Sequence, residues 1–184
     1  MVKTTDLAYS YSKSNVLFVA NIYYLEAEDF IVRRFSNSEG RVSFFNEGIF
    51  TRKGVELDFQ MANRESKVFA NLAYQKEGNQ NDLDDPAAFN TPRLIFTLGA
   101  NSSIWNTHNI GGNISYIGAR HKLNAYSIVN VNYTARLTNF DVFAVVRNIF
   151  DEDILNPDNT TQSSGLVAHG EQGTNFQLGI RLHF

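Results

Sequence analysis

Histidines and their neighbours are the first place to look for chemistry in this 184-residue chain. A hydrolase needs a nucleophile held beside a base, and the best set the sequence offers is His108 near Asn106 and Ser115, with no G-x-S-x-G elbow. No pair of histidines has H-x-x-x-H or H-E-x-x-H metal spacing. The histidines are His108, His121, His169 and His183. We therefore expect no enzyme, no catalytic residue and no cofactor.

Carboxylates are the second candidate, because clustered acidic side chains can hold a metal ion. They concentrate at 82–85 and 151–158. An EF-hand loop containing Asp151 and Asp153 would need Asp or Asn and then Gly where Leu155 and Asn156 stand, so the motif fails. These stretches are therefore interpreted as solvated loops, and no metal site is expected.

Composition excludes several further classes. There are no cysteines, so disulfides and thiolate chemistry are ruled out. A formal net charge of −3 does not suit a nucleic-acid binder, so no nucleic-acid partner is expected. Hydrophobic residues make up 43% and aromatic residues 13%, which indicates a folded chain. The sequence contains no run of 18 apolar residues, so it predicts no membrane helix. Residues 1–6 lack the apolar stretch of a secretory signal peptide.

In the segments that would position these residues, apolar and polar side chains alternate with a period of two residues. At 174–184, polar residues alternate with an apolar set: Phe176, Leu178, Ile180, Leu182 and Phe184. Such alternation predicts a strand with one apolar and one polar side. Comparable segments are 2–12, 15–32, 54–62, 67–77, 93–104, 107–118, 125–137 and 140–150. We predict an all-β fold of about nine strands and no helix.

Two segments depart from clean alternation. Segment 15–32 is apolar on both sides at its start, and 140–150 places Phe143 opposite a second apolar face. Phe69 is likewise atypical, because it falls on the polar side of its strand.

The predicted connections alternate in length along the chain. Short ones fall near 12–15, 63–66, 104–107 and 138–139, and longer ones near 33–48, 78–92, 119–124 and 151–173. Transmembrane β-barrels alternate short periplasmic turns with longer outer loops, whereas a Greek-key sandwich has no reason to do so. Aromatic residues near strand ends fit girdles at the membrane interfaces. These are Tyr11, Tyr24, Trp105, Tyr116, Tyr126, Phe140, Phe150, Phe176 and Phe184.

Several motifs, in order, give the chain a family resemblance. The stretch 146–151 reads V-R-N-I-F-D, and Asn148, Phe150 and Asp151 with a terminal Phe184 form its most specific part. Other landmarks are Asn46 before G-V-E-L at 54–57, N-L-A-Y at 71–74, Pro92-Arg93, and Y-S-I-V-N-V at 126–131. Together they resemble the C-terminal part of the barrel of TonB-dependent outer-membrane receptors.

The resemblance implies a specific organisation and location. Residues 1–184 would be a partial receptor β-barrel, an antiparallel up-and-down meander without the plug domain and N-terminal strands of a barrel of about 22 strands. Its apolar face would contact outer-membrane lipid in the bacterial cell. The last strand, ending at Phe184, would carry the signal read by the outer-membrane assembly machinery and would finish at the periplasmic end.

The function implied by the resemblance is active uptake of a scarce ligand, siderophore-type or other. The TonB energy-transducing complex would be a partner only through the missing plug, and the sequence does not name the ligand. Two alternatives stay open. One is a stand-alone small outer-membrane barrel serving as an anchor or adhesion protein, and the other is a soluble β-sandwich binding module.

Overall fold

Strands make up nearly all the regular structure of the chain. The computed structural model describes residues 1–29, 31–36, 40–46, 49–78, 91–120, 123–158, 167–170 and 173–183, and these ranges contain no helix. The strands are β1 Val2–Lys13, β2 Val16–Glu28, β3 Ile31–Ser36, β4 Arg41–Asn46, β5 Ile49–Ala62, β6 Ser66–Gly78, β7 Leu94–Ile104, β8 His108–Ile117, β9 Tyr126–Arg136, β10 Phe140–Arg147, β11 Leu155–Asp158, β12 Val167–Gly170 and β13 Asn175–Leu182.

Nine of these strands form one antiparallel sheet in the order β1-β2-β5-β6-β7-β8-β9-β10-β13. This confirms the predicted up-and-down meander of nine strands. Two small hairpins, β3–β4 and β11–β12, were not predicted, and they lie within two of the long connections. Strands joined by short turns are neighbours, so every short turn lies at one end of the sheet and every long connection at the other. We call these the turn end and the loop end.

Local chemistry fixes the short turns. Ser14, between β1 and β2, has φ +51°, and Trp105 and Asn106, between β7 and β8, have φ +53° and +60°. Between β5 and β6, the Asn63 Oδ1 accepts hydrogen bonds from the backbone N–H groups of Glu65 and Ser66 at 2.9 and 2.6 Å. An asparagine that bonds backbone groups two and three residues onward is a turn-forming device.

Some predicted strand limits were wrong. Segment 15–32 is not one strand: β2 ends at Glu28, Asp29 has φ +54°, and the chain then enters the β3–β4 hairpin. Strand β5 begins at Ile49 rather than 54, and β10 ends at Arg147 because Asn148 adopts φ +50°. A residue with positive φ cannot continue a strand, which explains the two early ends.

The sheet has no ordinary core. In the part of the chain that the structure describes, the buried apolar residues are Ala135 and Ile154. Instead, the sheet places apolar residues on one side, called here the apolar face (the side of Ile22, Leu72 and Ile180), and most polar residues on the other, the polar face. Many large side chains of the apolar face are therefore left exposed by the described residues.

Candidate membrane-spanning surface and loop anchor

The apolar face is continuous across strands because every strand pairs in the register that keeps its apolar set on the same side. One row of directly paired residues crosses eight strands without a polar side chain: Val16, Met61, Val68, Ala100, Gly112, Val131, Val146 and Phe176. A slip of one residue at any pair would move a whole strand's apolar set to the other side.

That row also reveals a stagger. It begins at Val16, beside a short turn, and ends at Phe176, at the loop end of β13. Strands displaced in this way are tilted relative to the direction in which the strands follow one another across the sheet. Tilt of this kind is the geometry of a β-barrel wall.

Large side chains on the apolar face are highly exposed. Leu7 is 71% exposed, and Leu178 and Ile180 are 64% and 65% exposed. Apolar surface in water costs about 25 cal/mol per Å², and monomeric soluble proteins rarely leave such large contiguous patches uncovered. A band of this kind along alternating strands is typical of the lipid-facing surface of a transmembrane barrel.

Aromatic side chains border the apolar face at both ends. Tyr24, Tyr74, Tyr116 and Phe176 lie toward the loop end, and Tyr11, Trp105, Tyr133 and Phe140 toward the turn end. These two rows match the girdles expected at membrane interfaces. Tyr126, predicted as a girdle residue, shares the polar face with Asn130 instead, because both occupy even positions of β9.

The predicted assembly residues share one face of β13. Phe176, Leu178, Ile180 and Leu182 are all exposed on the apolar face and pair with β10 residues Val146, Ala144, Val142 and Phe140. Phe184 lies outside the described residues. Four of the five predicted residues therefore lie in one apolar row.

Glycines on the polar face account for aromatic residues that broke the sequence pattern. A Cβ built on Gly54 would stand 2.6 Å from the Tyr23 ring, and Cβ atoms on Gly99 and Gly179 would overlap the rings of Phe69 and Phe143. Each ring therefore covers a glycine on the neighbouring strand, an arrangement known to stabilise glycines in sheets. The unusual placement of Phe69 and Phe143 was visible in the sequence, but their glycine partners were not.

Hydrogen bonds link the rest of the polar face from strand to strand. Asn71 Nδ2 donates to Asp58 Oδ1 at 2.9 Å, and the Thr97 and Ser115 hydroxyls lie 3.0 Å apart. Near the loop end, an Arg52 guanidinium nitrogen lies 2.9 Å from Glu77 Oε1, with both side chains mostly covered. Cross-strand pairs of this type stiffen a sheet, and here they lie on the side away from the apolar band.

The family-like motif closes the loop end of β10. Asn148 is 2% exposed, its Nδ2 donates to the Glu152 carbonyl at 2.8 Å, and its Oδ1 accepts from the Glu152 N–H at 2.9 Å. Its backbone N–H donates to Asn130 Oδ1 on β9 at 3.0 Å. Asn148 and Asp151 have φ of +50° and +55°, a region that Asn and Asp tolerate better than most residues.

The same motif holds the start of β13. The Thr174 hydroxyl donates to the Asn148 carbonyl, and the Thr174 N–H donates to Asp151 Oδ1, both at 2.8 Å. A Cβ on Gly173 would overlap that Asp151 oxygen, so a larger residue there would displace the Asp151 carboxylate. We call Asn130, Asn148, Asp151, Glu152 and Thr174 the loop anchor. Phe150, the third predicted motif residue, is 74% exposed.

Arg120 ties a second connection to this region. Its guanidinium lies 5.6 Å from the Tyr126 ring centroid and donates to the Leu155 carbonyl at 2.9 Å. The β8–β9 connection is thereby attached to the hairpin that follows the loop anchor. The arrangement can position loops, and it contains no nucleophile–base pair.

The residues considered for catalysis do not come together. His108 and Ser115 lie on opposite faces of β8, and the His108 Nδ1 is 2.5 Å from the Tyr133 hydroxyl. His183 Nε2 contacts Asp141 Oδ1 at 3.0 Å. Within the described ranges no group of three metal-binding side chains was found. The same ranges contain no helix that is long and apolar enough to cross a membrane.

The class these features define is an antiparallel β-barrel wall, and solved structures have the same fold. The ferric yersiniabactin uptake receptor FyuA from Yersinia pestis matches 100% of this chain with a TM-score of 0.83 and 16% identity. The copper transporter OprC matches 100% with a TM-score of 0.77 and 19% identity. The siderophore receptor PirA from Acinetobacter baumannii matches 100% with a TM-score of 0.76 and 13% identity.

These neighbours are TonB-dependent receptors, so the resemblance predicted from the motifs is confirmed at the level of fold. The chain spans 30 to 32% of the length of these three solved chains. They are transporters and receptors rather than enzymes. No family model matches the sequence, and no curated protein matches it either.

Proposed function

We propose that residues 1–184 form the C-terminal part of the barrel wall of an outer-membrane, TonB-dependent uptake receptor. The observation that carries this proposal is the apolar face of the staggered nine-stranded sheet, with one row of apolar residues and glycine crossing eight strands and aromatic rows at both ends. The matched receptors have the same fold and about three times the length. The remaining strands and the plug would come from the rest of the receptor.

In this proposal the long connections face the cell exterior and the short turns face the periplasm. The loop anchor and Arg120 would fix the bases of the outer connections, and the polar face would line the lumen around the plug. Uptake would depend on the TonB complex, which would act through the plug and make no contact with these strands.

The proposed ligand class is a scarce metal ion or its chelate. The matched proteins are described as a copper transporter, an iron transporter, a ferric-catecholate import receptor and siderophore receptors.

An immunoblot of the native outer-membrane fraction tests the proposal, with antibody raised against residues 165–174. We expect a band several-fold heavier than the 20.8 kDa of this chain. A band at 20.8 kDa would favour the stand-alone barrel and contradict the proposed transport function. Recovery in the detergent-free soluble fraction would favour the β-sandwich binding module instead.

The C-terminal strand is proposed as the assembly signal, with Phe184 as its terminal element. Replacing Phe184 with alanine should reduce the heat-modifiable, membrane-inserted fraction several-fold, because the assembly machinery would lose the aromatic end of the strand. Phe150→Ala, an exposed aromatic outside β13, is the matched control. Equal insertion of both variants and the parent chain would contradict this role.

A further inference from the structure

Two lysines face each other on the apolar side of the sheet. Lys53 of β5 and Lys76 of β6 are directly paired, and both are exposed. Directly opposed residues have Cβ atoms about 5 Å apart, and like charges at such positions destabilise a sheet. An anion bound between the two ammonium groups would relieve this repulsion.

No carboxylate of the described residues supplies that anion within ion-pair distance of either lysine. The carboxylate of neighbouring Glu26 is already bound by the Lys3 ammonium at 3.3 Å and by the Tyr24 hydroxyl at 3.1 Å. The Glu28 carboxylate likewise lies 3.6 Å from the Lys3 ammonium. Among the described residues, the carboxylates of Glu26 and Glu28 are thus engaged by β1 and β2 side chains.

The position of the pair indicates where its partner comes from. Tyr24 lies directly beside Lys53, and the next row toward the turn end is Ile22, Val55, Tyr74 and Leu94. Lys53 and Lys76 therefore lie just beyond the apolar band, in the same row of paired residues as Tyr24 of the loop-end aromatic row. In a membrane this is the depth of lipid headgroups, and basic side chains there bind anionic lipid.

We propose that Lys53 and Lys76 together bind the phosphate of a lipid headgroup in the outer leaflet. One phosphate can accept charge-assisted hydrogen bonds from both ammonium groups and thereby relieves their repulsion. The acyl chains of the same lipid would lie on Val55 and Tyr74. The inference rests on the proposed membrane orientation, and it assigns these lysines a role separate from uptake.

The test uses the protein purified from its native outer membrane in nonionic detergent. Native mass spectrometry would measure retention of dioleoyl phosphatidic acid, with dioleoylglycerol as the phosphate-free probe and inorganic phosphate as the lipid-free probe. We expect phosphatidic acid retention to fall at least about tenfold in the Lys53→Gln/Lys76→Gln double variant. Lys67→Gln is the matched control, because Lys67 lies on the same strand but on the polar face at the turn end.

A second variant separates binding from folding. Lys76→Glu creates an opposite-charge pair with Lys53, so the sheet should fold at least as well while phosphatidic acid retention is lost. Unchanged retention in folded Lys76→Glu would overturn the proposal. Equal retention of dioleoylglycerol, or equally tight binding of inorganic phosphate, would overturn it as well. Absence of the protein from the outer membrane would instead contradict the proposed function, and it would be seen before any lipid is added.

Discussion

At the residue scale, the motif that carries the family resemblance has a structural role. Asn148 and Asp151 adopt positive φ and use their side chains to close the end of β10 and hold the start of β13. Asn supplies a donor and an acceptor on one short side chain, and both are used here by Glu152. The motif therefore specifies where the barrel wall ends and the loop begins.

Asn148→Ala should destabilise the folded barrel by about 1–3 kcal/mol, because it removes two hydrogen bonds to the Glu152 backbone at a position that is 2% exposed. Urea unfolding of the purified protein in detergent would measure the change. Asn139→Ala, at an exposed position in the short β9–β10 turn, is the control. An equal loss in both variants would contradict the role of the loop anchor.

Gly179 and Phe143 should be energetically coupled. Gly179→Ala is expected to lower stability in the parent chain, because its Cβ would overlap the Phe143 ring. In a Phe143→Ala background the same change should cost little. A double-mutant cycle measures the coupling, and two additive effects would show that the ring does not depend on the glycine.

At the element scale, β13 shows how strand alternation separates two environments. Its even-numbered residues from Phe176 to Leu182 lie on the apolar face, and Gln177 and Arg181 lie on the polar face. The strand pairs with β10 on one side, so it forms one edge of the nine-stranded sheet. An edge strand of a membrane wall needs a further strand, because unpaired backbone groups are not tolerated in hydrocarbon.

Leu178→Arg should cost about 2–4 kcal/mol at mid-membrane depth, because it places a charge on the lipid-facing side. Gln177→Arg, one residue away on the polar face, should cost far less. The insertion yield in lipid vesicles and the urea midpoint would measure both variants. Similar penalties at the two positions would contradict the assignment of the faces.

At the scale of the whole molecule, the alternation of short and long connections gives the wall a direction. All short turns lie at one end of the sheet, and both extra hairpins belong to connections at the other end. The stagger of the paired rows further requires oblique strands, as in a barrel. The turn end and the loop end would therefore face opposite sides of a membrane.

Cysteine labelling tests that direction, since the chain has no native cysteine. Ala119→Cys, at the loop end, should react with a membrane-impermeant maleimide in intact cells. Thr138→Cys, in a short turn, should react only after the outer membrane is opened. The reverse pattern would invert the proposed orientation.

The sequence by itself determined the nine-stranded meander and the two faces, because side chains alternate with period two and short turns force neighbouring strands to pair. It also identified Asn148 and Asp151 as part of a family-like motif. Tertiary structure alone decided the partners of Phe69 and Phe143, the role of the motif as an anchor and the opposition of Lys53 to Lys76. These depend on the exact cross-strand register, because a shift of two residues would keep every apolar set on its face and yet change each of these partners.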